Sequence, residues 1–455
     1  MAPRRLRPVE DPVHLEVDGA RIEARDGEPV AVALAAAGRL VLGRSVKYHR
    51  PRGAACYAGR CDGCLMRVDG VPSVMTCRLP ASDGLVAETQ NVVGSARRDL
   101  LAATDWFFRG GMNHHEMFTW NEQVNKVMQK VARRIAGIGE LPAGEVAPRP
   151  VHDDEVDVLV IGGGPAGLRA ATRCAEAGLH VTLLDEESVP GGSLRWWPRP
   201  LDFEGAARTS DAIAERMVAR AWEAEVRVMP HTSAVGAYDP WEDVAGAGDP
   251  PIAAPARRAA RPIVLADGPD GLVHLRPRRV VVAAGRHEGA SAFAGNDRPG
   301  VIELRAACRL LAWGVLPGER VLLAGADPGL EALAEALREA GAEVLGPFAE
   351  GSLREAKGRP EVGACELEVD GRARELACDA VVVAPPTSAV YEVAAQLGVA
   401  TQWSGTGFEV AADPAHGATD AADVRVVGWA AGVHGLADTL AQADAAAAAV
   451  VEELS

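Results

Sequence analysis

Cys56, Cys61, Cys64 and Cys77 stand in the spacing C-x4-C-x2-C-x12-C. Three thiolates from one tight loop and a fourth from a returning strand make the ligand set of a 2Fe-2S cluster in a small ferredoxin-like domain. In the loop CYAGRCDGC and just before it, Gly53, Gly59 and Gly63 let the backbone approach closely enough for its N–H groups to face the sulfurs. Between Cys64 and Cys77, Asp69-Gly70 predicts a hairpin turn that brings the fourth thiol back to the loop. Zinc accepts the same donors, but four-cysteine zinc sites usually pair them as two C-x2-C knuckles. Only Cys61 and Cys64 form such a pair here. The chain is therefore expected to carry electrons.

A second constellation lies in VDVLVIGGGPAGLRAATRCAEAGLHVTLLDEE. An apolar strand, Val156 to Ile161, runs into Gly162-x-Gly164-x-x-Gly167, then a helix opening at Pro165 and Ala166, then a strand ending in Asp185 and Glu186. This is the dinucleotide fingerprint in its full strand–turn–helix context. The first glycine permits the turn, the second lets the backbone approach a pyrophosphate, and the third lets the helix pack on the strand. The helix N-terminus favours phosphate, and Asp185 is placed to accept hydrogen bonds from an adenosine ribose. Gly192 and Ser193 follow in Gly191-Gly192-Ser193-Leu194, which reads either as a simple turn or as the segment that passes a flavin in two-dinucleotide-domain flavoproteins. Gly285 in RRVVVAAGRHE, and Gly428 and Gly432 in VRVVGWAAGVHG, resemble the segments by which glutathione-reductase-like flavoproteins return to the cofactor. That resemblance implies a carboxylate after the last of these strands, bonded to the ribityl chain of FAD, where this sequence has Trp429. FAD is expected in this site, with another adenine nucleotide, NAD or ATP, left open.

The segment RVLLAGADPGLEALAEALREAGAEVL, Arg320 to Leu345, repeats the strand–turn–helix pattern. Asp327 and Leu330 occupy its middle and third glycine positions, and Gly346-Pro347 replaces the acidic residue expected after the next strand. A carboxylate at position 327 repels a pyrophosphate. This half is expected to keep the nucleotide-binding fold and to have lost tight NAD(P)H binding.

These motifs must be held by several domains, and 455 residues suffice for two to four. The expected order is a 2Fe-2S ferredoxin-like β-grasp domain over 1–95, a helical connector over 96–150, and a first Rossmann domain over 151–300. A second, degenerate Rossmann domain over 301–395 and a return to the first over 396–455 complete a glutathione-reductase-like α/β fold. Hydrophobic positions Val124, Val127, Met128, Val131 and Ile135 predict a helix in the connector, whose Lys126, Lys130, Arg133 and Arg134 read as a solvated face more readily than as a docking surface. Residues 241–262 read as an irregular surface insertion. A formal charge of −16 argues against nucleic acid as a partner. The basic start is followed by no apolar run, and the Ala-rich tail is broken by Asp438, Gln442 and Asp444, so neither a signal peptide nor a transmembrane segment is expected and the protein reads as cytoplasmic. Cys174, Cys308, Cys365 and Cys378 read as buried free thiols. His114-His115 are not read as a metal site, because adjacent histidines diverge on any regular element. Trp196-Trp197 read as ordinary packing before flavin stacking.

RSVKYHRPRG (Arg44 to Gly53), the cysteine loop, GGMNHHEMF (Gly110 to Phe118), VMQKVARRIAGIGELP and FAGNDRPGV (Phe293 to Val301) together resemble one family. It comprises the α subunits of heteromeric amine oxidases and dehydrogenases: heterotetrameric sarcosine oxidase, opine oxidase, proline or hydroxyproline dehydrogenase, and hydrogen cyanide synthase. The sarcosine oxidase α subunit is far longer and carries a C-terminal folate-binding domain beyond the part that this sequence resembles. The resemblance implies that an amine or amino acid is oxidised on an FAD-containing β subunit of amine-oxidase type, and that this chain accepts the electrons, often through an FMN at the subunit interface. It assigns no catalytic residue to this chain and leaves a small third subunit open. Lys47, His49, Arg50 and Arg52 would then bind a flavin phosphate or the β subunit, a solvated loop being the alternative. Two other functions stay in view: a self-contained NAD(P)H-dependent iron-sulfur flavoprotein reductase, and a non-enzymatic scaffold that stabilises the β subunit.

Overall fold

The computed structural model describes residues 3–45, 48–100, 121–135, 148–238 and 262–455. Val46 and Lys47 of the RSVKYHRPRG segment, the GGMNHHEMF segment with His114-His115, residues 136–147 and nearly all of the 241–262 insertion lie outside the described residues. The chain forms two compact units, Met1–Glu145 with Ala290–Pro385, and Val146–Gly289 with Pro386–Ser455.

The first unit begins with a five-stranded sheet in the order Ala20–Ala24, Val13–Val17, Val86–Thr89, Leu65–Val68, Val71–Met75. Val13–Val17 and Val86–Thr89 run parallel, and the other neighbours are antiparallel. The alternation of Leu15 and Val17 with polar neighbours turns one face inward. Both hairpins turn on Asp-Gly pairs in the left-handed region, Asp18-Gly19 at φ 50° and 75° and Asp69-Gly70 at φ 47° and 81°. That geometry matches strand twist and fixes register. The helix Val30–Ala36 lies across the sheet and buries Val30 to Ala35. Its small side chains let it sit close.

The rest of the first unit is a parallel sheet in the order Val301–Glu303, Ala380–Ala384, Arg320–Gly325, Glu343–Phe348, with an antiparallel sheet of Leu353–Lys357, Ala364–Val369 and Arg372–Ala377 beside it. The ferredoxin-like sheet is bound to this nucleotide-domain fold at several points. Arg4–Arg5 pairs with Val315–Leu316, Arg52 Nη1 donates to Asp297 Oδ2 at 2.8 Å, and Arg97 donates to both Glu361 oxygens at 2.9 Å. Glu303 N donates to Ala55 O at 3.0 Å, next to the first cysteine.

In the second unit a seven-stranded sheet runs Arg227–Met229, Val181–Leu184, Val151–Ile161, Gly271–Val282, Ile263–Gly268, Ser233–Tyr238, with Val424–Val426 also paired to Gly271–Val282. Its central parallel strands are covered on both faces, so their apolar runs are continuous. On one face pack the helices Pro165–Glu176, Ser210–Glu223 and Leu436–Leu454. Arg169 grips Asp444 with two hydrogen bonds of 2.7 and 2.8 Å and so ties the first of these helices to the last. The expected helix of the connector is present as Glu122–Ile135 and belongs to the first unit.

Candidate cluster and nucleotide sites

The hairpin predicted at Asp69-Gly70 returns Cys77 to the loop of Cys56, Cys61 and Cys64. Cys56 and Cys64 are fully buried, Cys77 nearly so, and Cys61 is partly exposed. Their sulfurs come together as two pairs, Cys56 with Cys61 at 3.4 Å and Cys64 with Cys77 at 3.3 Å. The N–H groups of Ala58, Arg60 and Cys61 point at the Cys56 sulfur at 3.3 to 3.4 Å, and that of Gly59 at the Cys77 sulfur at 3.2 Å. Such donors stabilise thiolate and raise the potential of any cluster bound there. Hydrogen bonds from Cys61 and Cys77 hold the Cys56 thiol below the ordinary range, and Cys77 does the same for Cys64. Their partners Cys61 and Cys77 are correspondingly pushed up. Among the described residues no group of three or more His, Cys, Asp or Glu side chains is arranged around a single metal ion. Two pairs of thiols instead match two irons with two protein ligands each, so the donor set fits the cluster.

The loop owes its shape to close backbone approach. A Cβ on Gly63 would lie 1.9 Å from the Gly53 carbonyl oxygen, and one on Gly53 would lie 2.4 Å from Leu40 O. Thr76, which the sequence did not single out, is buried and donates its hydroxyl to Cys64 O at 2.7 Å, locking the returning strand to the loop.

In the second unit the three fingerprint glycines have different surroundings. Gly162 sits at φ 104°, and a Cβ there would lie 2.5 Å from Ala283 O. On Gly167 it would lie 1.9 Å from Gly162 O, so this position serves packing. On Gly164 it meets nothing nearer than Gly192 Cα at 4.0 Å, and the space in front of it is open. Gly164 is the N-cap of the helix that begins at Pro165, and no side chain caps that end. The first-turn N–H groups are thus left for an anion.

Other expected residues converge on this loop. Gly191 N donates to Gly163 O at 2.7 Å, which lays Gly192 against Gly164 and starts the short helical turn containing Ser193. Gly428 packs on Ala166 and donates its N–H to Gln442 Oε1 at 2.7 Å. Asp185 is buried beside Gly163 and accepts the Glu187 N–H at 2.7 Å. Burial pushes its carboxyl up to about 7, partly offset by the N–H groups of Glu187 and Gly163. Glu186 next to it is exposed. Gly285 follows the strand Gly271–Val282 and accepts the Val390 N–H at 3.0 Å, and Gly432 caps the turn Gly428–Ala431. Trp196 is buried, and half-buried Trp429 lies 6.3 Å from the His434 ring.

The second nucleotide-binding half is different. Asp327 Oδ1 accepts the Gly329 N–H at 2.7 Å, so the N-terminus of the helix Gly329–Glu339 already holds a carboxylate from its own chain.

Residues 10–92 match the model of a 2Fe-2S iron-sulfur cluster binding domain, and residues 157–197 match that of an FAD binding domain. Over 97% of its length the chain is 31% identical to the sarcosine oxidase subunit alpha of Rhizobium meliloti (strain 1021), of which it covers 46%. It is 30% identical to the sarcosine oxidase subunit alpha of Corynebacterium sp. (strain P-1) over 68% of this chain and 28% of that one. The chain thus spans less than half the length of these curated relatives. All of it superposes on the L-proline dehydrogenase from P. horikoshii with a TM-score of 0.74, at 22% identity and over 76% of that chain. Two thirds of it, 66%, superpose on the T. acidophilum thioredoxin reductase with a TM-score of 0.51, at 14% identity and over 99% of that chain. The fold is therefore an N-terminal 2Fe-2S ferredoxin domain joined to a thioredoxin-reductase-like FAD/NAD(P)-binding fold, and the chain is a sarcosine oxidase alpha-like protein with an N-terminal 2Fe-2S domain.

Proposed function

We propose that this chain is the electron-accepting subunit of a heteromeric, flavin-dependent amine or amino-acid dehydrogenase or oxidase of the sarcosine, proline, hydroxyproline or opine type. The observation that carries the reading is the arrangement of Cys56, Cys61, Cys64 and Cys77 as two sulfur pairs in a loop lined with N–H groups. A 2Fe-2S cluster takes and gives single electrons, and a flavin that has accepted two electrons from an amine can release them to it one at a time. The four thiolates would hold it, and the N–H groups of Ala58, Gly59, Arg60 and Cys61 would tune it. In the second unit, Gly162 to Gly167, Asp185, Gly192, Ser193 and Gly428 would hold FAD or another adenine nucleotide, the helix N-terminus facing the pyrophosphate. The amine would be oxidised on a partner β subunit with its own FAD, in the cytoplasm, with FMN at the interface between the chains. The reading requires no nucleophile or base from this chain for that oxidation.

The runner-up, a self-contained NAD(P)H-dependent reductase, needs a second nucleotide site open to a pyrophosphate. Asp327 at the N-terminus of its helix speaks against it. The test is to purify the chain anaerobically, alone and with its co-expressed partner flavoprotein, and to assay iron, sulfide and released nucleotide. The reading expects iron and sulfide in the 2Fe-2S ratio and one adenine nucleotide on the chain alone, with further flavin only in the complex. Stoichiometric zinc in place of iron, or an FAD-loaded chain that NADH bleaches without a partner, would overturn it.

A further inference from the structure

The cysteine loop lies under a cation that is not among its ligands. Arg78 follows the fourth cysteine directly, and its N–H donates to Met75 O at 3.0 Å. This tight turn reverses the chain at Cys77 and sends the half-buried Arg78 side chain back across the loop. A Cβ on Gly59 would lie 2.9 Å from Arg78 Cδ, 3.0 Å from Cγ and 3.6 Å from Nε, so the arginine stem rests on Gly59 itself. Gly59 sits in the left-handed region at φ 72°, and its N–H donates to the Cys77 sulfur at 3.2 Å. These contacts hold Arg78 Nε within about 9 Å of that sulfur.

Reduction adds one negative charge to a cluster and its thiolates. A guanidinium is a cation throughout the working pH range, so beside such a centre it favours the reduced form. The chain as a whole does the opposite, because its formal charge of −16 opposes an incoming electron. Within the loop the charged side chains are Arg60 and Asp62, both exposed and of opposite sign. Arg60 gives the loop its backbone N–H, to the Cys56 sulfur at 3.3 Å, whereas Arg78 gives it a side chain laid along the backbone. At about 10 Å and an effective dielectric of 20, one unit charge shifts the equilibrium of another by roughly one order of magnitude.

We propose that Arg78 sets the electron affinity of the cluster domain: its guanidinium, carried across Gly59, raises the reduction potential and makes the cysteine-held centre a better acceptor for a reduced flavin. One electron leaves the reduced flavin of the complex, or dithionite in the test, and converts one ferric iron to ferrous. No proton moves and no bond between heavy atoms changes. Arg78 acts through its field and is a positioning residue, and Gly59 is the position that admits it, since a side chain there would meet the arginine. The inference rests on the proposed reading of the four cysteines as cluster ligands.

The test is an anaerobic redox titration of the full chain at fixed pH and ionic strength, following the visible absorption of the cluster in the wild type, Arg78→Lys, Arg78→Gln and Arg78→Glu. Arg78→Lys keeps the charge and stays near the wild-type potential. Arg78→Gln loses it and takes up the electron about tenfold less readily, a fall of about 59 mV. Arg78→Glu falls about twice as far. Added salt shrinks these differences, which the loss of a merely structural contact would not do. Equal potentials in all four chains overturn the proposal, as does an Arg78→Lys variant that falls as far as Arg78→Gln. Failure of Arg78→Gln and Arg78→Glu to assemble a cluster that the wild type and Arg78→Lys both hold would make the arginine a support of the loop and also overturn it. A wild-type chain without any reducible cluster overturns the cysteine reading and this inference with it.

Discussion

Gly164→Val separates binding from folding at the nucleotide site. The backbone at Gly164 has φ −72° and ψ −178°, which any residue adopts. An added Cβ reaches only Gly192 Cα, at 4.0 Å. Folding therefore does not require glycine here, and what a side chain would obstruct is the open space before the helix N-terminus. Displacing a pyrophosphate from two N–H groups forfeits two charge-assisted hydrogen bonds at about 1.5–3 kcal/mol each. A total near 4 kcal/mol weakens affinity by about three orders of magnitude, whereas loss of a glycine N-cap costs the fold about 1 kcal/mol. Gly167→Ala is the contrasting control, because its methyl must enter a space only 1.9 Å from Gly162 O, and it should cost about 3 kcal/mol of stability. The assay combines calorimetric titration of the stripped chain with its nucleotide and thermal unfolding without it. The reasoning fails if Gly164→Val binds with wild-type affinity, or if it unfolds as readily as Gly167→Ala.

Three further outcomes are expected. Cys61→Ser abolishes the visible absorption of the cluster while the adenine nucleotide stays bound, since the two sites belong to different compact units; nucleotide analysis of the variant showing both lost would contradict this. Asp327→Gly removes the carboxylate from Gly329 N–H and should tighten NADH binding at least tenfold by fluorescence titration, because a charge about 4 Å from a phosphate costs roughly 4 kcal/mol at an effective dielectric of 20; unchanged binding would show that Asp327 is not the obstacle. Asp185, raised to about 7 mainly by burial, is protonated in the folded apo chain while the unfolded chain ionises above pH 4. It therefore takes stability away as pH rises from about 4 to 7, by roughly 4 kcal/mol if three pKa units are lost. Asp185→Asn should match the wild type near pH 4 and exceed it by that order at pH 7 in denaturant unfolding; a difference that does not vary with pH would refute the assignment.

The local parts of this architecture are legible in the sequence because each is written in neighbouring residues. The Asp-Gly pairs specify their hairpins through backbone preferences, and the unbroken runs VLVI, VTLL and AVVVA mark strands buried on both faces. The cysteine spacing and the glycine loop are short-range patterns of the same kind. What the sequence hid lies in pairs far apart. Lys47, His49, Arg50 and Arg52 read as a basic segment open to a ligand, yet His49 is buried against Asp99, fifty residues on, and Arg52 is engaged by Asp297, 245 residues on. FAGNDRPGV was recognised only as part of a family likeness. In the structure its Asp297 and Pro299 form the seat on which Arg52 and Gly53 rest. Gln442, read only as a polar break in an Ala-rich tail, carries the Gly428 N–H. Such contacts leave no periodic trace in either partner segment.

The central claim is that electrons from an amine reach the cysteine-held cluster only through a partner flavoprotein. The most direct measurement is anaerobic stopped-flow absorption of the cluster after mixing with a secondary amino acid or with NADH, for the chain alone and for the purified complex. The account predicts bleaching of the cluster by the amino acid in the complex, none in the chain alone, and none by NADH in either. Rapid bleaching of the isolated chain by NADH, or a complex that oxidises the amine while its cluster stays oxidised under anaerobic conditions, would contradict it.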